Sequence, residues 1–205
     1  MKTNTLKWIV IVLMLAGNFS SCTMNDSMDN VGTAQYDFYY SSDGEKISLK
    51  IRKDRVILKA ISEDEAKTLS MQACFIMAYY VSDDWVIAAI DTSKMGLDEL
   101  MQRQDVVDGT YALEGDDGTL YMPTYQIFVK FKEGQSPKKV FDDVDLSKNV
   151  ETIGLFIENA EIYRITLNVK LGDILQICRN LFESGWCEFA EPSFIRLLKN
   201  PLPIP

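Results

Sequence analysis

Residues 126–190 read QIFVKFKEGQSPKKVFDDVDLSKNVETIGLFIENAEIYRITLNVKLGDILQICRNLFESGWCEFA, and the order of elements in this stretch decides the fold. Gln126 to Phe131 alternates polar and apolar residues, the two-residue period of a half-buried strand. Ser136 stands where a helix N-cap is needed and Pro137 at the first helical position, ahead of Val140, Phe141, Val144 and Leu146. Thr152 to Ile157 and Glu161 to Leu167 are β-rich runs around Glu158-Asn159-Ala160, a hairpin pattern. From about Val169 to Ser184, the residues Leu171, Ile174, Leu175, Cys178, Leu181 and Phe182 share one helical face, and Gly185 ends the helix. Trp186 to Ala190 is a last short strand. The stretch spells β-α-β-β-α-β.

The same order occurs upstream, at a spacing of about 70 residues. Arg55 to Ala60 is a strand, and Ser62 caps a helix whose third position is Glu65. Cys74 to Val81 and Trp85 to Ile90 flank the turn Ser82-Asp83-Asp84, after which Thr92 or Ser93 starts a short helix carrying Leu97, Leu100 and Met101. Val106 to Leu113 and Thr119 to Met122 then flank Gly115-Asp116-Asp117-Gly118. Ahead of both passes, Tyr36 to Tyr40 and Lys46 to Ile51 are joined by Ser41-Ser42-Asp43-Gly44, a hairpin signal. Two crossovers of one hand around a central hairpin place four strands in one antiparallel sheet with both helices on one face. The predicted fold is α+β: two tandem ferredoxin-like (βαββαβ) units with antiparallel sheets, preceded by a β-hairpin. The first unit and its hairpin take residues 36–124, the second residues 125–194, and residues 195–205 read as an extended tail. Each sheet has one face without helices, which is solvated, packed against the sister unit or kept for a partner.

The front end speaks to compartment. Residues 1–21 carry Lys2 and Lys7 and no acid, then an apolar run from Trp8 to Ala16 that is too short to span a bilayer. Small residues Ser20 and Ser21 precede Cys22, so the segment resembles a bacterial lipoprotein signal in which the Cys22 sulfur is lipidated. An ordinary cleaved signal with a bystander cysteine is the alternative. Residues 22–35 are polar and without apolar period, a tether. The expected location is the cell envelope, lipid-anchored at the outer membrane or facing the periplasm.

The full sequence has a net charge of −9, and losing Lys2 and Lys7 makes it more acidic, which argues against nucleic acid or anionic membrane as a partner. The chain has no histidine, so Ser-His-Asp, Cys-His and the common His-containing zinc sites are excluded. The acidic runs Glu63-Asp64-Glu65, Asp116-Asp117 and Asp142-Asp143 sit at helix starts or in turns, where solvation and the helix dipole account for them. Cys74, Cys178 and Cys187 have apolar neighbours and read as buried thiols, with a Cys178–Cys187 disulfide as the alternative in an oxidising compartment. No catalytic group, metal or cofactor is expected.

The strand Gln126-Ile127-Phe128-Val129-Lys130-Phe131, the helix end Asn180-Leu181-Phe182-Glu183-Ser184-Gly185 and the strand Glu188-Phe189-Ala190-Glu191-Pro192-Ser193-Phe194 carry a likeness to a known family. The second unit resembles the N-terminal prodomain of secreted subtilisin-like serine proteases, in the long form found in lipoprotein proteases of Bacteroidetes-type bacteria. Tyr36 to Tyr40, Gly44 to Ile47 and Met122-Pro123-Thr124 are similar to the extra upstream part of those proteins. In that family a catalytic domain follows the strand Glu188 to Phe194, and the chain is read as a prodomain-like protein expected to act without one. The resemblance implies binding without turnover: the sheet face docks on the protease and the segment Ser193 to Pro205 lies in its substrate cleft. The residues this assigns to partner binding are Glu188, Glu191, Phe194, Ile195, Arg196, Leu197 and Leu198. An extended segment can add as a strand to such a cleft, and Pro201, Pro203 and Pro205 make it a poor substrate past Asn200. Two other expectations stand beside the inhibitor or folding chaperone: a surface lipoprotein that serves as a general binding module, and a remnant of a truncated protease.

Overall fold

The computed structural model describes residues 34–197. Strands β1 (Tyr36–Tyr40) and β2 (Lys46–Ala60) form the leading hairpin. Its turn closes with the Gly44 N–H donating to the Ser41 carbonyl at 2.8 Å, and Gly44 has φ +77°, a conformation open to glycine because it lacks Cβ. Helix α1 (Glu63–Ser70) starts at Ser62, whose hydroxyl accepts the Glu65 N–H at 3.2 Å as the capping pattern predicts. The three acids Glu63, Asp64 and Glu65 occupy its first turn, next to the positive end of the helix dipole.

Strands β3 (Met77–Ser82) and β4 (Trp85–Ala89), helix α2 (Leu97–Met101) and strand β5 (Val106–Glu114) complete the first pass. Strand β6 (Leu120–Phe131) opens the second, followed by α3 (Pro137–Asp143), β7 (Val150–Ile157) and β8 (Ile162–Leu167), then α4 (Ile174–Glu183) and β9 (Cys187–Leu197). Ser136 caps α3 through the Lys139 N–H. The helix predicted from Val169 begins later, at Ile174, after a single 3₁₀ turn over Leu171–Asp173. Asp142 and Asp143 lie at the end of α3, whereas the sequence reading put them at a helix start or in a turn.

The protein is α+β, and its strands form one nine-stranded antiparallel sheet. The order along the main path is β3-β4-β2-β5-β6-β8-β7, with β1 on β2 and β9 on β6. Two separate sheets were expected. The difference comes from β2 and β6, each of which was read as two short strands. In β2 the charged stretch Arg52-Lys53-Asp54 falls between the two expected short strands, yet the strand continues through it with a bulge between Arg52 and Val56. In β6, Pro123 looks like a break, but it falls at a bulge between Pro123 and Ile127, where a missing backbone donor is tolerated. The pairs Leu113↔Tyr121 and Glu114↔Leu120 then stitch the two halves together.

Three of the apolar clusters show how the halves are packed. One lies between α1, α2 and the first half of the sheet, built on Val56, Leu58, Leu69, Val86 and Leu100. Another lies between α3, α4 and the second half, built on Ile127, Val129, Phe141, Ile165, Cys178 and Leu181. A third joins Ile57 and Ile87 of the first half to Met122, Leu171, Ile195 and Leu197 of the second. Val56, Ile57 and Leu58 are successive residues pointing to alternate faces, and all three are 0% exposed. The helix-free face of the first half is thus covered by the second half, one of the three fates the sequence left open.

Candidate functional site

Of the residues expected to bind a partner, Glu188, Glu191, Phe194, Ile195, Arg196 and Leu197 lie on β9, an edge strand that pairs with β6. Glu188 is exposed and pairs with Lys130 at 2.6 Å. Glu191 accepts the Ser42 N–H, tying the leading hairpin's turn to β9. Phe194 packs between Tyr39 and Tyr121, each ring centroid 5.4 Å away. Ile195 and Leu197 are half-buried against the cluster of Ile57, Ile87 and Met122, while Arg196 is exposed with its guanidinium 5.5 Å from the Tyr121 ring. Leu198, most of the tail and Cys22, the residue expected to be lipidated, lie outside the described residues. The expected tail boundary at residue 195 falls inside β9, which runs through Pro192, paired with Ile127, and on to Leu197, paired with Leu120. Pro192 therefore does not stop the strand, because an edge strand can spare one donor.

Sequence reading missed a buried polar staple. Asp108, on β5, is 9% exposed. Its Oδ1 accepts the Gly109 N–H at 2.7 Å, and its Oδ2 accepts the Leu171 N–H and the Tyr125 hydroxyl, both at 2.8 Å. Burial, and then the hydrogen bond to Asp108, push the Tyr125 phenol far above its ordinary range. The group borders a cleft of about 830 Å³ lined also by Lys59, Asp98, Glu151 and Asp173. Both carboxylate oxygens are held by donors of the fold itself, so Asp108 serves to fix the 3₁₀ turn before α4 onto β5. The one available signal was an acid followed by glycine inside a β-rich run.

Arg179 on α4 forms a second latch that was not foreseen. It is 9% exposed, donates to Asp37 and, at 2.5 Å, to the Phe38 carbonyl, and lies 4.6 Å from the Phe38 ring. Beside it Tyr40 stacks on Phe182 at 4.5 Å and bonds Glu183. These contacts hold β1 against α4 while β1 pairs with β2. Arg179→Met is expected to cost about 2–3 kcal/mol, less than for a fully buried pair because Asp37 keeps some water access. Hydrogen exchange would show it: the β1 amides should lose protection while those of β8 keep theirs.

Cys178 and Cys187 are free, buried thiols in one cluster. Burial raises both, Cys187 to about 12, so neither is poised as a thiolate nucleophile. Among the described residues no cluster of acids and cysteines is arranged to hold a metal ion, and no helix is long and apolar enough to cross a membrane. Compared with protein-family models, with curated proteins and with solved structures, the chain matches none.

Proposed function

We propose that the chain is a non-catalytic, lipid-anchored binding protein of the cell envelope, built from two ferredoxin-like halves that share one sheet. Its C-terminal half acts in the manner of a protease prodomain. It binds a subtilisin-like protease as inhibitor or folding chaperone, and the segment after Leu197 occupies the substrate cleft.

The observation that carries the reading is the strand order of the second half, β9-β6-β8-β7, with α3 and α4 packed on one face. First and last strands are adjacent at the centre and edge, as a split βαβ unit requires. The first half repeats the order as β5-β2-β4-β3. On the face of the second half away from its helices, Phe128 and the register partner Arg164 stand beside Phe156, with the two phenylalanine rings 4.7 Å apart. An aromatic pair flanked by an exposed arginine is the composition of a protein-binding patch. The engagement of Phe194, Ile195 and Leu197 within the fold favours a second reading: a general binding module that uses this face and needs no tail.

Inhibition measurements separate the two. A chain starting at Thr23 is titrated against subtilisin-like proteases with a peptide substrate, beside a variant ending at Leu197. Inhibition at least tenfold stronger with the full C-terminus supports tail-in-cleft binding. Binding without inhibition, equal for both chains, supports the module, and no interaction with any such protease overturns the prodomain reading.

A further inference from the structure

Granted that the helix-free face of the second half receives a protein, as proposed above, its residues define which kind. Directly opposed residues of an antiparallel sheet share a face, so Gly154, Arg164, Phe128 and Glu191 form one row across β7, β8, β6 and β9. Their neighbours Ile127, Val129 and Ile165 point the other way, into the core under α3 and α4. The rings of Phe128 and Phe156 meet at 4.7 Å although β8 runs between their strands, and Phe156 is 51% exposed. Arg164 stands exposed beside them, its guanidinium 5.9 Å from the centre of the Phe156 ring. Gly154 next to it offers no side chain, and a Cβ there would meet only the Arg164 carbonyl, at 3.9 Å. The adjoining pair, Thr152 and Thr166, is small and neutral. The guanidinium therefore lies open between an apolar ridge and a low, uncharged floor.

The other charges of this row and the next are engaged. Lys130, two residues from Phe128 and on the same face, pairs with Glu188 at 2.6 Å, and Glu191 accepts the Ser42 N–H. The Arg164 side chain makes no hydrogen bond or ion pair with the described residues. We propose that this face is a docking surface for a protein that presents a single carboxylate beside apolar side chains, Arg164 taking the carboxylate and Phe128 and Phe156 the apolar groups. A guanidinium holds a carboxylate through parallel N–H donors, and rings at its flank keep water from the pair. One unpaired cation on a chain of net charge −9 matches one monovalent anion. A phosphate-rich partner needs clustered cations and would be repelled by the rest of the chain.

A chain starting at Thr23 retains the whole compact unit from Ala34 onward. Phenylpropanoate carries a ring and a carboxylate, and phenylethylammonium is its counterpart of opposite charge. In NMR titrations, phenylpropanoate at millimolar concentration is expected to shift the Gly154 amide, the Arg164 Nε–H and the Phe128 and Phe156 ring signals saturably, and the ammonium is not. Arg164→Gln should weaken the response about tenfold or more, and Arg164→Lys should fall between, since it keeps the charge and loses the fork. Because the Arg164 side chain bonds nothing within the fold, both variants should melt with the parent chain, which separates lost binding from unfolding. A response equal for the two probes, absent for both, or unchanged in Arg164→Gln overturns the proposal. For a subtilisin-like protease that binds the chain, Arg164→Glu should weaken binding about tenfold or more. Protease binding indifferent to Arg164→Glu overturns the proposal and leaves the protease reading standing. Phenylpropanoate held through Arg164, with no such protease bound, supports the proposal and removes the protease reading.

Discussion

Replacing Asp108 with alanine is expected to lower the stability of the protein by about 3–5 kcal/mol, read as a fall in the urea midpoint with little change in slope. The carboxylate accepts from three donors, the Gly109 and Leu171 amides and the Tyr125 hydroxyl. Each buried donor left without a partner costs about 1–3 kcal/mol, and the half-buried Tyr125, which borders the cleft, can recover part of its share from water. Asp108→Asn keeps one acceptor oxygen but turns the other into a donor facing an N–H or hydroxyl. It should therefore lose about 2 kcal/mol, less than alanine. Tyr125→Phe removes only one donor and leaves both amides bonded, so it should cost about 1 kcal/mol. That ranking distinguishes a carboxylate that holds backbone from one that serves the cleft. If Asp108→Ala matched Tyr125→Phe, the backbone bonds would contribute nothing measurable and the staple would be wrong.

The same residue shows where sequence reading stops. Elements with local signals were legible: the Asp43-Gly44 hairpin, the Ser62 and Ser136 caps, and the apolar face of α4 from Ile174 to Leu181 all stand where their residues put them. Each of these is decided within a few residues. What was not legible depends on partners far along the chain. Arg52 to Asp54 reads as a gap between strands by composition, but Arg52 bonds Asp54 along its own strand and Glu114 on the neighbouring β5, and that satisfies its charge within a strand. Pro123 and Pro192 both lie inside strands, because a proline at a bulge or on an edge strand forfeits a donor that the ladder does not need there. Once β2 and β6 run through, one continuous sheet follows from the β5–β6 pairs, and no local pattern announces it. The described residues proposed for partner binding share one strand because they are close together in sequence. Their internal contacts were not legible, since Tyr39, Ile57 and Tyr121 are distant in sequence.

That last point determines what a truncation can show. Ending the chain after Pro192 would remove Phe194 from between Tyr39 and Tyr121, and Ile195 and Leu197 from the cluster that covers Ile57 and Ile87. It would also remove the ladder from Pro123↔Phe194 to Leu120↔Leu197. Fully burying one large apolar side chain is worth about 1.5–3 kcal/mol, and these three are half-buried, so their loss alone should cost about 3–4 kcal/mol. The exposed first-half face would add to this by admitting water to Ile57 and Ile87, which are 0% and 5% exposed in the intact protein. Thermal unfolding of the two truncations is the measurement. The chain ending at Leu197 should melt within a few degrees of the full chain, and the chain ending at Pro192 should melt far lower or fail to fold. Loss of protease inhibition in the Pro192 variant would then report unfolding, and only the Leu197 variant tests whether the tail enters a cleft. Equal melting of both truncations would mean that the second half of β9 contributes no stability, and would return residues 193–197 to the role of a free binding segment.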